Sequence, residues 1–134
     1  MTRLESKKVE VNNSSEDIFN FLSDFNNFEK LVPKDKISDW SSSADECSFN
    51  ISGMATIGMK IIEKTPPSSI KIISHGKNPF DFTLNVSIAS INENRSVVQL
   101  VFAAEINPFL KMMVEKPLSN FFNMLVDKLK AINE

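Results

Sequence analysis

The chain has 134 residues, 42% hydrophobic and 24% charged, with a net charge of −2; this describes one globular domain over residues 1–134, long enough to bury a core. Acidic and basic residues are interspersed, so no basic footprint suggests nucleic acid or an anionic membrane as the partner. The single cysteine, Cys47, excludes an internal disulfide and a Cys-rich metal site, and neither a signal-like N-terminus nor a run of roughly 18 apolar residues is present, so a reducing, cytoplasmic setting is expected.

In chain order, residues 3–11 read as a first, edge-like strand ending in Val9 and Val11. "NNSSEDIFNFLSDF" then starts a helix, with Ser14 as N-cap and Glu16 and Asp17 in the first turn near the positive end of the dipole. Ile18, Phe21, Leu22 and Phe25 fall on one face at helical spacing. "NFEKLV" predicts a second short helix, stopped by Pro33.

From about residue 36 to 106 the period changes to two. A strand around Ile37 to Trp40 is followed by the alternations Cys47–Phe49–Ile51 and Ala55–Ile57–Met59–Ile61, and by Ile70 and Ile72. Two further runs alternate most cleanly, Phe80 to Ile88 and Val98 to Ile106, with Asn92 to Asn94 as the loop of a hairpin. Pairing Ile91 with Arg95 sets Ile88 against Val98, Val86 against Leu100, Leu84 against Phe102 and Phe82 against Ala104. A one-residue slip would set an apolar row against a polar one. The same register places Asp81 opposite Glu105 on the wet face.

After Pro108 the period returns to 3.6. Val114, Leu118, Phe121, Leu125, Leu129 and Ile132 form one apolar stripe, widened by Phe122 and Val126 on one side and Met113 and Met124 on the other. Phe109 and Met112 project toward the side that becomes polar later. Pro117 removes a donor to the Met113 carbonyl, so two readings stand: a kink around a curved sheet, or a Met-rich flap hinged over an opening.

The order strand, two helices, six strands, long helix resembles the helix-grip fold of the START-like, pollen-allergen-like superfamily, often called SRPBCC. "SSEDIFNFLSDFNNFEKLVP" looks like its helix pair, "FTLNVSIASINENRSVVQLVFAAEINP" like its terminal hairpin, and "NPFLKMMVEKPLSNFFNMLVDKLKAI" like its closing helix. The resemblance implies an α+β domain in which a curved, seven-stranded antiparallel sheet wraps the C-terminal helix. It also implies a cavity between them, used across the superfamily for lipids, sterols, quinones or polyketides. Carried onto this chain, Met113, Pro117 and Phe121 would wall that cavity from the helix. Phe49, Met59, Ile72, Phe82, Leu84, Leu100 and Phe102 would wall it from the sheet, and Trp40 would be a rim or cavity aromatic that binds the ligand, or part of the core. Two departures stand out. The glycine-rich loop of plant members is replaced by "SSSADE", and polyketide cyclase cavities use Tyr and Arg, whereas this chain has no Tyr and its arginines, Arg3 and Arg95, fall in an edge strand and a turn.

Catalytic chemistry is sparse. His75 is the sole histidine and falls on the outer face. Cys47 points inward as a small core residue, and Ser52, Thr56 and Ser74 carry no sign of activation. "GMATIG" has the wrong spacing for a dinucleotide fingerprint. Eleven Phe against no Tyr favour dry walls over catalytic ones. The function expected is non-catalytic binding or transport of an apolar small molecule or lipid, without cofactor, metal, nucleic acid or stable membrane insertion. The alternatives are a cyclase- or hydrolase-like enzyme, and a module that binds a protein partner or a second copy through Phe109 and Met112.

Overall fold

The computed structural model describes residues 1–51, 55–76 and 78–134. In chain order the elements are β1 (Thr2–Glu5), β2 (Val9–Val11), α1 (Ser15–Leu22), α2 (Phe25–Phe28), β3 (Ile37–Ser42), β4 (Glu46–Ile51), β5 (Ala55–Thr65), β6 (Ser69–Ser74), β7 (Phe82–Asn92), β8 (Arg95–Ala104) and α3 (Pro108–Ile132). The strands form one antiparallel sheet in the order β1-β8-β7-β6-β5-β4-β3, with β2 also on β8. The sheet grips α3 as the element order predicts.

The first strand is split where a single one is expected. Leu4 pairs with Phe102 and Val9 with Val98, so Lys7 and Lys8 together oppose Gln99 in a β-bulge. Buried Ser6 steadies the bulge: its N–H donates to the Leu100 carbonyl and its Oγ accepts from the Leu100 N–H, both at 2.9 Å. The bulge in turn fastens α3. The Lys7 N–H donates to Asn123 Oδ1 at 2.9 Å, and Lys7 Nζ lies 2.8 Å from Asp127. Asn13 donates to Asn133 at the far end of the helix, at 3.0 Å.

Ser14 caps α1, its Oγ accepting from the Asp17 N–H at 3.1 Å. The buried face of α1 is Ile18, Phe19 and Leu22, while Phe21 is half-buried with Lys30 over its ring. Asp24 caps α2 through the Asn26 N–H at 2.9 Å, so this helix starts at Phe25 and ends earlier than expected, leaving Leu31 and Val32 buried in the turns that follow.

The β7–β8 register matches the apolar alternation: Ile88 faces Val98, Val86 Leu100, Leu84 Phe102 and Phe82 Ala104. The closing turn differs. Asn92 pairs with Arg95 after a register shift, so the loop shortens to Glu93–Asn94 and Ile91 is exposed. Phe80, Asp81, Glu105 and Ile106 lie beyond the strand ends, and Asp81 and Glu105 make no ladder pair.

Asn78 stands in for a strand residue where β6 leaves the sheet. Its Oδ1 accepts from the Gly58 N–H at 3.1 Å, and its Nδ2 donates to the carbonyls of Gly58 at 3.2 Å and His75 at 3.1 Å. The His75 N–H also donates to Gly58 O, at 2.9 Å. A Cβ at position 58 would stand 2.0 Å from the His75 carbonyl oxygen, so only glycine fits beneath this loop.

Asn107 caps α3, its Oδ1 accepting from the Leu110 N–H at 2.8 Å, with Pro108 in the first turn. The helix runs unbroken through exposed Pro117. Val114, Leu118, Phe121, Phe122, Leu125, Val126 and Leu129 are buried, whereas Ile132, at the end of the stripe, is exposed.

Two substitutions test these local constraints. Pro117→Ala restores a helical donor at an exposed position, and a stabilisation of about 2 kcal/mol is expected from helix propensity less the lost chain stiffness, read from urea unfolding. Gly58→Ala is expected to cost about 2 kcal/mol or more, because backbone must move to admit the methyl group; unchanged stability would contradict the close approach.

Candidate functional site

The space between α3 and the inner face of the sheet is filled by rings. Trp40 on β3 stacks on Phe49 of β4, centroids 5.3 Å apart, and Phe49 meets Phe121 of α3 at 5.6 Å. Phe121 and Phe122 are 5.8 Å apart, Phe122 meets Phe102 of β8 at 5.4 Å, and Phe102 meets Phe82 of β7 at 5.4 Å. Phe80 closes the series at 6.2 Å from both Phe82 and Phe102. Such tilted and edge-on contacts are the favoured arrangements for ring quadrupoles.

What remains among the rings is an enclosed space of about 10 Å³, the smallest that admits one water molecule. Its wall carries no polar surface: Phe49, Ile51, Ile57 and Met59 come from β4 and β5, Leu118, Phe121 and Phe122 from α3, and Phe80, Phe82 and Phe102 from the other side. Two larger hollows on the outside share parts of that wall. One, of about 410 Å³, lies between Asp35–Lys36 and α3 at Pro117 and Asn120, and has Ile51 and Phe121 in common with the interior. The other, of about 550 Å³, lies beside Pro79, Ile106 and Leu110 and shares Phe80 and Phe82.

Of the residues expected to wall a cavity, Phe49, Met59, Phe82, Phe102 and Phe121 border this space. Ile72, Leu84 and Leu100 are buried elsewhere in the core. Trp40 is half-buried at the rim, its Nε1 donating to Ser42 Oγ at 3.0 Å, and that hydroxyl donating to Asn26 Oδ1 at 2.7 Å. Met113 and Pro117 do not wall the interior. Met113 is 58% exposed, and Pro117 faces the outer hollow. At 3.6 residues per turn Met113 projects about 140° away from Leu118, so it cannot join the buried stripe. Ile51 and Ile57 border the space with the same alternation as Phe49 and Met59, and Leu118 and Phe122 do so from the stripe. Phe80 does so from just before β7, in phase with Phe82 in the alternation that runs from Phe80 to Ile88.

The polar groups converge elsewhere. His75 lies on the outer face and reaches across β5 to Glu46, Nε2 to Oε1 2.6 Å, at the edge of an open hollow of about 500 Å³ lined also by Ser48 and Thr56. The carboxylate orients the imidazole, but among the described residues no hydroxyl is hydrogen-bonded to that ring. Thr56 accepts from Asn50 at 3.4 Å, and Ser74 Oγ accepts from the Phe82 N–H at 3.1 Å, a structural task. Ser52 lies outside the described residues. Cys47 is buried beside Phe49 on β4, and burial pushes its thiol up from 9.0 to about 12, which makes it a poor nucleophile.

No family model matches the sequence, and no curated protein matches it. Solved structures do resemble it. A START superfamily protein from Mycobacterium smegmatis is 16% identical, with a TM-score of 0.70 over 98% of this chain and 96% of that one. Norcoclaurine synthase from Thalictrum flavum, in complex with dopamine and hydroxybenzaldehyde, is 13% identical, with a TM-score of 0.72 over 98% and 85%. The di-domain ARO/CYC protein BexL from the BE-7585A biosynthetic pathway is 9% identical, with a TM-score of 0.73 over 98% of this chain and 46% of that one. At these identities the likeness establishes the fold, and the fold is the helix grip.

The buried thiol makes a pH-dependent prediction. Unfolded Cys47 loses its proton near 9.0 and folded Cys47 near 12. Between those values the unfolded state binds fewer protons, so stability falls as pH rises, by about 1.4 kcal/mol per unit. Urea midpoints measured on either side of pH 9 are expected to fall more steeply for the native chain than for Cys47→Ala. Equal slopes would contradict burial of the thiol.

Proposed function

We propose that this START-like helix-grip domain, a single domain over residues 1–134, binds a small apolar molecule or lipid between sheet and α3 without chemical conversion, in a cytoplasmic setting. The observation that carries the reading is the partition at Ile51 and Phe121, which separates an all-apolar interior from a hollow of about 410 Å³. Rotation of the Phe121 ring joins the two, and the joined volume falls in the range of small-molecule pockets. α3 is built for such a movement. Its second half is tied down through Asn123, Asp127 and Asn133, whereas its first turns contribute only Val114 and half-buried Leu110 to the core. An apolar guest gains roughly 25 cal/mol per Å² of buried surface, and shape supplies the selectivity.

An enzymatic reading draws on the Glu46–His75 pair, but that pair faces the outer hollow and has no activated nucleophile with it. Among the described residues, the wall of the interior offers no group able to move a proton. Binding is therefore the reading favoured.

The test uses cis-parinaric acid, with Trp40 as an internal reporter because it stacks on Phe49 at the rim. Phe121→Leu thins the partition and is expected to tighten binding about tenfold, and Ile51→Phe thickens it and is expected to weaken binding by a similar factor. Binding by neither the native chain nor Phe121→Leu, or equal binding by both variants, would overturn the proposal.

A further inference from the structure

The face of α3 opposite its buried stripe is apolar over the first two turns. Phe109 is 75% exposed, Met112 84% and Met113 58%, at the spacing i, i+3, i+4 that places them in one row. Lys116 continues the row without an ion pair among the described residues, and no acidic residue stands on it before Asn120. Glu115, on the flank, is held by Lys111 at 3.7 Å. The turn Pro33–Lys36, whose Lys36 borders the hollow at Pro117 and Asn120, adds Lys34 and Lys36 against Asp35. Glu105 and Asp81 lie at the other end, beside the hollow at Leu110.

We infer that this row is a docking surface for a phospholipid bilayer, lying flat in the headgroup layer with Phe109, Met112 and Met113 reaching the acyl boundary. Three observations select that occupant. The surface is a convex ridge of long, mostly unbranched side chains, which suits a deformable medium more than a rigid partner. The lysines beside it stand where phosphates would lie. A second copy is a poor fit: three side chains of at most roughly 200 Å² each fall short of the roughly 800 Å² per partner of a stable interface. The inference rests on the proposed binding of an apolar guest and extends it. Met113 is one helical turn from Pro117 and the hollow that leads toward Phe121, so docking would set the Phe121 partition at the lipid from which the guest is drawn.

The experiment is flotation of the full chain, with no guest added, on vesicles of three parts phosphatidylcholine to one part phosphatidylglycerol, alongside sedimentation of the free protein. The native chain is expected to float. Met112→Glu and Phe109→Ser are expected to reduce the bound fraction about tenfold, and Lys116→Glu about threefold, with unchanged thermal unfolding because all three positions are exposed. Protein that stays at the bottom overturns the inference, as does flotation unaffected by Met112→Glu. A native dimer that Met112→Glu dissociates overturns it in favour of self-association. Parinaric acid binding by Met112→Glu is expected to match the native chain, so loss of docking and failure of the interior to bind are read separately.

Discussion

The seating of one apolar helix stripe on the inner face of the sheet organises this molecule. Val114, Leu118, Phe121, Leu125 and Leu129 are all buried, and a helix of this composition alone in water would be marginal. The inner rows of β4 to β8 supply the cover, and their alternation leaves the outer face free to be polar. Among the described residues, the direction-specific contacts that hold the helix to the sheet lie in its second half. The bulge between β1 and β2 presents the Lys7 N–H to Asn123, and Asn13 meets Asn133. The bulge thus acts as a fastening for the second half of α3, and the first half depends on fewer buried side chains.

That asymmetry connects packing to function. The rings from Trp40 to Phe80 close the interior to about 10 Å³, so a guest must displace side chains before it is buried. Burying roughly 200 Å² of apolar guest surface would contribute about 5 kcal/mol, while turning one ring into an outer hollow forfeits its own contacts and little backbone order. Phe121 stands near the middle of α3, two residues before Asn123, so the partition at Ile51 and Phe121 lies where the fastened half of the helix meets its less firmly held first turns. The absence of a polar group from the wall means that no buried donor or acceptor must be satisfied when the guest is absent or when it is present.

Much of this was legible in the residues. The β7–β8 register follows from the facing rows Ile88–Val98 to Phe82–Ala104, because a slip would bury polar side chains. Ser14 announces its helix by cap chemistry, and the α3 stripe by its period. The closing turn was not legible, since Ile91 is exposed and no buried row fixes the register there. The division of the first strand depends on Ser6 bonding to Leu100, a contact across the sheet that no local pattern encodes. Family resemblance sets Met113 and Pro117 on the cavity wall, and the period reads Met113 as a widening of the stripe, but Met113 lies too far round the helix from Leu118 to be covered and is exposed. The Glu46–His75 pair spans three strands and is invisible to periodicity, which reports faces and not neighbours along a face. The enclosed volume depends on where the Phe121 ring lies, and ring positions are a matter of packing.

The measurement that bears most directly on this account is solution NMR of the chain with decanoic acid, recording which protein methyl groups show nuclear Overhauser contacts to the acyl protons. Contacts to Ile57 and Met59, both buried and both bordering the enclosed space, are the expected result, because only a guest past the Phe121 partition can reach them. Contacts confined to Met112 and Met113 on the outer row of α3, or no contacts at all, would contradict a binding site between sheet and helix.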